Sequence, residues 1–402
     1  MSLYIPTSRK RIRRAGALVL ALASALAAVA CGSSSGGGNG TQGLAGKEIL
    51  VGFSTPKTGP YVVYDQDTQA MIAFFKTVNA AGGINGYKYK WKEVDNQGSV
   101  QGGATAARNL LAAEPFAIVN IRTASYLGAV QALKTNPDIP VFSLTSGAAV
   151  KESGLKNVFG LYTDYTEEAE FGVEHLISGL NAKKIGLITD QTLDPTGPKA
   201  VEKVADDLGA EISRKLDVTA DTTNYAPVVQ KMRDSDVDAI YVDALLPAVA
   251  GVMKAVKAQG LDVPVATYSG NLDPQLIELA GASADGLYLN SLYPPLASEH
   301  PELDRFKTAT DKYDPTAYTG QGLNGWAAAV VFNEAVKRAT DAGDLDWDSF
   351  KEALYSMEGE EVGFAKISYS KDSHAAIGNK QSFTVYQVKG GKFVKTDYTA
   401  AN

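Results

Sequence analysis

From Lys47 onward, short apolar runs alternate with stretches whose apolar residues recur at helical spacing. "ILVGF" (Ile49–Phe53) reads as a buried strand, and Met71, Phe74, Phe75 and Val78 define one face of a helix. Asp65 or Asp67 can cap that helix and Gly82-Gly83 can end it. "YKYKWKEV" (Tyr87–Val94) alternates as a strand does, and Val100–Ala113 reads as the next helix. Strands follow at Phe116–Asn120, Val141–Leu144, Lys184–Thr189, Ala239–Val242, Val265–Thr267 and Gly286–Asn290. Between them lie helical stretches at Tyr126–Lys134, Glu167–Leu180, Thr196–Leu208, Tyr225–Arg233 and Ala248–Gln259. Such alternation dictates right-handed crossovers and mostly parallel sheets covered on both faces, an α/β fold. The strands are too many for one small sheet, so two doubly wound lobes are expected. The rhythm then breaks: Leu303–Tyr313 and Leu323–Ala342 read as consecutive helices, and Gln381–Val388 with Lys392–Lys395 as a hairpin around Gly390-Gly391. A chain that ends this way is returning to lobes begun earlier.

What precedes Lys47 is of another kind. Arg9, Lys10, Arg11, Arg13 and Arg14 are followed by the charge-free run Ala15–Ala30, the layout of a secretory signal peptide. The run is short and Ala-rich for a span, which needs about 20 strongly apolar residues. Cys31 is the single cysteine of 402 residues, which rules out an internal disulfide. Ala28-Val29-Ala30-Cys31 resembles a bacterial lipobox, with Ala28 where Leu is commoner. The resemblance implies cleavage before Cys31 and acylation of its thiol and amino group, and several chains anchor stably where one does not. Arg13-Arg14 leaves twin-arginine export open beside the general secretory route. Residues 1–30 form the expected signal peptide and 31–46, rich in Ser, Gly and Asn, a lipidated flexible tether. Loss of the five basic residues takes the net charge from −7 to −12, which argues against nucleic acid as a partner.

Motifs for catalysis are absent from the sequence. There is no Gly-x-Ser-x-Gly elbow, P-loop or His-Glu-x-x-His, and His175, His300 and His374 are far apart. "GNGTQG" (Gly38–Gly43) fits a dinucleotide fingerprint in letters only, since it follows no strand and lies in the tether. No enzyme activity, no cofactor and no metal site are expected.

"ILVGFSTPKTGPYVVYDQDTQAMIAFFKTVNAAGGINGYKYKWKEVDNQGS" resembles the opening of extracytoplasmic solute-binding proteins of the branched-chain amino acid (leucine-binding) type. "IPVFSLTSGA" (Ile139–Ala148), "KKIGLITDQTLDPTG" (Lys183–Gly197) and "DGLYLNSLYP" (Asp285–Pro294) follow in that family's order. The resemblance implies two doubly wound lobes joined by three crossover segments, with a cleft that closes on a small solute for an ABC permease. It divides the chain into lobe 1 (47–162 and 292–345) and lobe 2 (163–291 and 346–398). The expected protein is a monomer at the outer face of a bacterial membrane or in the periplasmic space, held to the bilayer through Cys31. A lipid-tethered sensor built on the same fold is the competing reading.

In open α/β sheets, ligands bind beyond the carboxyl ends of the strands, where helix N-termini favour carboxylates. Arg122, Thr123 and Ser125 follow one strand and Ser146 another, where the family grips a carboxylate; ordinary helix caps are the alternative. Tyr64 falls in the first-lobe loop and Tyr162 near the first crossover, both places for an aromatic cover. The second lobe departs from the family. Thr196-Gly197 stands where Tyr-Gly is frequent, Leu245-Leu246 where a Tyr is frequent, and Ser269 or Gly270 where an acid pairs the ligand's ammonium group. Asp243 can replace that acid. These departures point to an aromatic or branched aliphatic acid, with branched-chain amino acids as the runner-up.

Overall fold

The computed structural model describes residues 41–59, 61–160, 162, 164–190, 196–219, 221–367, 369–374 and 383–399. The signal peptide, Cys31 and most of the tether lie outside them.

The first lobe is built on β1 (Leu44–Ala45), β2 (Glu48–Thr55), β3 (Lys88–Asp95), β4 (Ala117–Ile121), β5 (Val141–Leu144) and β6 (Val158–Gly160). Its parallel strands run in the order β3-β2-β4-β5-β6, with β1 antiparallel on the start of β2. Every residue of β4 is buried, the mark of a strand covered on both faces. Ile118 faces α2 (Val100–Leu111), α3 (Thr123–Lys134) and α4 (Gly147–Ser153). Val119 and Ile121 face α1 (Asp65–Ala80), α10 (Pro301–Tyr313), α11 (Gly320–Ala342) and α12 (Trp347–Tyr355). Helices α2 and α3 cross at backbone contact: a Cβ on Gly103 would stand 2.0 Å from the Ser125 carbonyl oxygen, and one on Gly128 1.9 Å from that of Val100.

The second lobe repeats the plan with β7 (Lys184–Asp190), β8 (Glu211–Val218), β9 (Ala239–Asp243), β10 (Val265–Thr267) and β11 (Tyr288–Ser291). Their order is β8-β7-β9-β10-β11, all parallel, extended by the antiparallel hairpin β14 (Thr384–Lys389) and β15 (Lys392–Lys395). Helices α5 (Tyr165–Glu174) and α6 (Thr196–Asp207) cover one face, and α7 (Ala226–Asp234), α8 (Leu246–Ala258) and α9 (Pro274–Ala280) the other. A small hairpin, β12 (Glu361–Val362) with β13 (Ala365–Lys366), stands apart from both sheets. Among the described residues, no helix is long and apolar enough to cross a membrane.

One expected boundary is corrected. Residues 346–398 do not all belong to lobe 2. Phe350, Leu354, Met357, Phe364, Ile367 and Tyr369 are buried in the first lobe's core, and the Trp347 indole donates to the Phe116 carbonyl at 2.8 Å. Among the described residues, Phe383 and those after it pack on the second lobe. The amphipathic face of α12 matches the open side of β4 and β5, where Phe350 stands edge-on to Phe116 at 5.4 Å.

Candidate functional site

Both sheets reverse their order beside the first-formed strand, at β2/β4 and at β7/β9. Loops at such a switch point diverge and leave a crevice beyond the carboxyl ends of the strands. The two crevices face each other, and a cavity of about 40 Å³ lies between them, lined by Tyr64, Asp67, Ile121, Arg122, Thr123, Leu144 and Gln321 of lobe 1. Asp243, Tyr165, Tyr268 and Gly270 line it from lobe 2, and Tyr162 from the first crossover. A second chamber continues past Tyr162, Gly270 and Gln321 to Leu272, Leu292, Tyr293, Leu296 and Leu323. Across the lobes, Asp273 caps α9 through one oxygen and accepts the Gly320 amide through the other at 2.9 Å.

Arg122 dominates the first-lobe wall. It leaves β4 with φ 84°, a left-handed conformation that costs an L-residue free energy and persists only where its surroundings impose it. The restraints are visible. Its amide donates to Leu144, and its carbonyl accepts from the Asn120 side chain at 3.1 Å and the Ser125 hydroxyl at 2.9 Å. The guanidinium stands 3.9 Å from the Tyr64 ring centroid and 4.6 Å from that of Tyr61, a cation–π contact with each ring. Its Nε is buried with no hydrogen-bond partner among the described residues.

Asp67 sits in the first turn of α1 and is only 3% exposed. Burial holds its carboxyl well above the usual carboxylate range, while the Arg122 charge pulls the other way. Burial likewise pushes the phenols of Tyr64, Tyr162 and Tyr268 up, so they remain neutral hydrogen-bonding groups.

Of the residues expected from sequence, Tyr64, Arg122, Thr123, Tyr162 and Asp243 meet on this one wall. Four others do not. Ser125 points back into its own turn, donating to the Ile121 and Arg122 carbonyls. Ser146 is fully buried and offers only its amide, which donates to the Thr123 hydroxyl at 3.2 Å. Thr196 opens α6 behind Asp243, where a Cβ on Gly197 would lie 2.6 Å from the Asp243 carboxylate. The Ser269 hydroxyl donates to buried Glu168, and the residue borders the second chamber. Leu245 and Leu246 are also off the wall: Leu245 lines a separate groove with Tyr225, and Leu246 packs on the second lobe's core. Sequence reasoning missed Asp67, Tyr165, Tyr268 and Gln321. The "TYSGN" stretch held a usable signal, since Tyr268 is the first residue beyond β10.

Residues 48–392 match the periplasmic binding protein family. Leu/Ile/Val-binding protein homolog 1 of Brucella abortus is 25% identical over 361 residues, covering 89% of this chain and 94% of its own. An amino acid binding protein of Pseudomonas aeruginosa is 22% identical, with 84% and 93% covered. In fold, the chain is similar to a branched-chain amino acid ABC transporter protein from Thermus thermophilus solved with bound valine (TM-score 0.76, 19% identity, covering 89% of this chain and 98% of that one). LivJ of Streptococcus pneumoniae, solved in complex with isoleucine, aligns at TM-score 0.71 and 20% identity, with 87% and 100% covered. With two doubly wound lobes, a cleft at their switch points and a match over most of its length, this chain belongs to the periplasmic binding protein family.

Proposed function

We propose that this chain is an extracytoplasmic solute-binding protein that captures a small hydrophobic solute bearing a carboxylate and delivers it to an ABC importer. The candidate solutes are hydrophobic amino acids and aromatic or aliphatic acids. The observation that carries this reading is Arg122, which lines the cleft beside Tyr61 and Tyr64 and has a buried Nε with no hydrogen-bond partner among the described residues. A carboxylate there meets a fixed fork of donors beside the Thr123 hydroxyl at the start of α3. Tyr64, Tyr162, Tyr165 and Tyr268 offer an aromatic enclosure for the solute's body, and the second chamber offers leucines for a longer one. The relatives named above, two of them solved with valine or isoleucine, support the amino-acid end of this range.

A thermal-shift screen tests it. A true ligand at 100 times its dissociation constant stabilises the native state by about 2.7 kcal/mol. At about 2–4 °C per kcal/mol that is a shift of roughly 5 to 10 °C. A panel of hydrophobic amino acids and their deaminated acids that leaves the melting curve unmoved refutes the reading.

The anchor is a separate part of the proposal. Acylated at Cys31, the mature protein partitions with membranes. Cys31→Ser is expected to release it to the soluble fraction or to leave the precursor uncleaved. Fractionation and mature mass identical to the wild type would rule the anchor out.

A further inference from the structure

The cleft holds a second buried charge-bearing group that the carboxylate reading leaves unused. Asp67 lines the same cavity as Arg122, is 3% exposed, and its Oδ1 has no hydrogen-bond partner among the described residues. The two side chains are near enough to influence each other, yet they form no ion pair within 4.0 Å among the described contacts. Two buried groups of opposite type, each with an unused polar atom, cost free energy in the empty cleft unless a third party bridges them. A simple carboxylic acid serves Arg122 and leaves Asp67 as it was. A solute carrying a cationic donor next to its carboxylate serves both.

We propose that Asp67 recognises the ligand's α-ammonium group, so that the first lobe alone grips both ends of a zwitterionic α-amino acid. This rests on the carboxylate reading of Arg122. The second-lobe acid is the weaker candidate: Asp243 is half-buried, and its carboxylate lies against Gly197 in the first turn of α6. Asp67 lies instead where α11 crosses α1 so closely that a Cβ on Gly325 would stand 1.9 Å from the Asp67 carbonyl oxygen. The Gly325 amide of α11 also hydrogen-bonds the Asp67 carboxyl, which holds it in place at the cavity wall. The titratable groups facing it are Asp65 on its own helix, Tyr64 before it, Arg122 beyond β4 and Tyr293 on the second crossover. Burial favours the neutral form of its carboxyl in the empty cleft, and an arriving ammonium ion favours the ionised one. The bound state then holds fewer protons than the free one, so affinity for an amino acid rises with pH until the free carboxyl itself ionises.

Isothermal titration with L-leucine, L-phenylalanine, isocaproate and hydrocinnamate separates the outcomes. The wild type is expected to prefer each amino acid over its deaminated counterpart, and Asp67→Asn to cut that preference by about 10- to 100-fold, the worth of a charged hydrogen bond. Titrations in two buffers of different ionisation enthalpy at about pH 5, one unit above the ordinary aspartate value, should show more proton release by the wild type than by Asp67→Asn. If Asp67→Asn does not fold, Asp67→Ser is titrated in its place. Deaminated acids binding as tightly as amino acids, or a preference for amino acids unchanged in the variant, overturns the assignment and leaves the carboxylate reading standing. A wild type that binds none of the four overturns both.

Discussion

Replacing Arg122 with methionine is expected to weaken binding of the true ligand by about 30- to 4000-fold. Truncating one partner of a buried, hydrogen-bonded charge pair costs about 2–5 kcal/mol, and each 1.4 kcal/mol is about tenfold in affinity. Methionine keeps an unbranched apolar stem beside Tyr61 and Tyr64, so the loss reports on the charge rather than on packing. It also takes up the φ of 84° at the same cost as arginine, so the backbone strain at this position is unchanged. In the free protein the effect is small, since a half-buried cation and its contacts with Tyr61 and Tyr64 are lost together, and the melting temperature should hold. Titration calorimetry and a melting curve on the same preparation check both halves. Binding that survives at full strength would move the carboxylate to Thr123 and the amides of α3.

Trp326→Ala is expected to be the most damaging single truncation outside the cleft. The indole is 1% exposed and packs edge-on against Phe74 at 4.9 Å and beside Phe306 at 5.2 Å, joining α11, α1 and α10. Deleting a buried tryptophan costs about 3–5 kcal/mol, so the midpoint should fall by roughly 6 to 20 °C at about 2–4 °C per kcal/mol. Part of that loss is polar. Trp326 Nε1 donates to Glu302 at 2.8 Å, and Glu302 is 8% exposed. Trp326→Phe retains most of the ring packing and removes that donor, while Arg305 still holds the other Glu302 oxygen at 2.7 Å. Urea denaturation of the two variants apportions packing against hydrogen bond. A loss below about 1 kcal/mol in the alanine variant would contradict the packing account.

The sheets were legible because parallel strands covered on both faces write themselves as unbroken apolar runs, as β4 and β9 do. The cleft was legible where topology alone places a residue. Arg122, Thr123 and Asp243 stand at strand ends beside a switch point, Tyr64 in the loop after β2, and Tyr162 on a crossover. Ser125 misled because two residues of helix turn its hydroxyl from the cavity to its own carbonyls. Asp67 was hidden by a more general ambiguity: an acid in the first turn of an amphipathic helix carries the signature of a cap. What makes it a cleft residue is α11 laid across it from the far end of the chain, and that contact leaves no local trace. The same holds for α12, whose apolar face specifies burial without saying under which sheet.

The return of the chain's last hundred residues to both lobes governs the order in which the molecule can be assembled. A ribosome that has released the chain up to β11 has delivered all the parallel strands, yet neither core is complete. The first still lacks Phe306, Trp326, Phe332 and Phe350, and the second lacks Val385, Tyr386 and Val388. Pairings this distant in sequence delay productive collapse, since loop closure must precede the contacts that reward it. The growing chain therefore stays short of its native state until synthesis is nearly done.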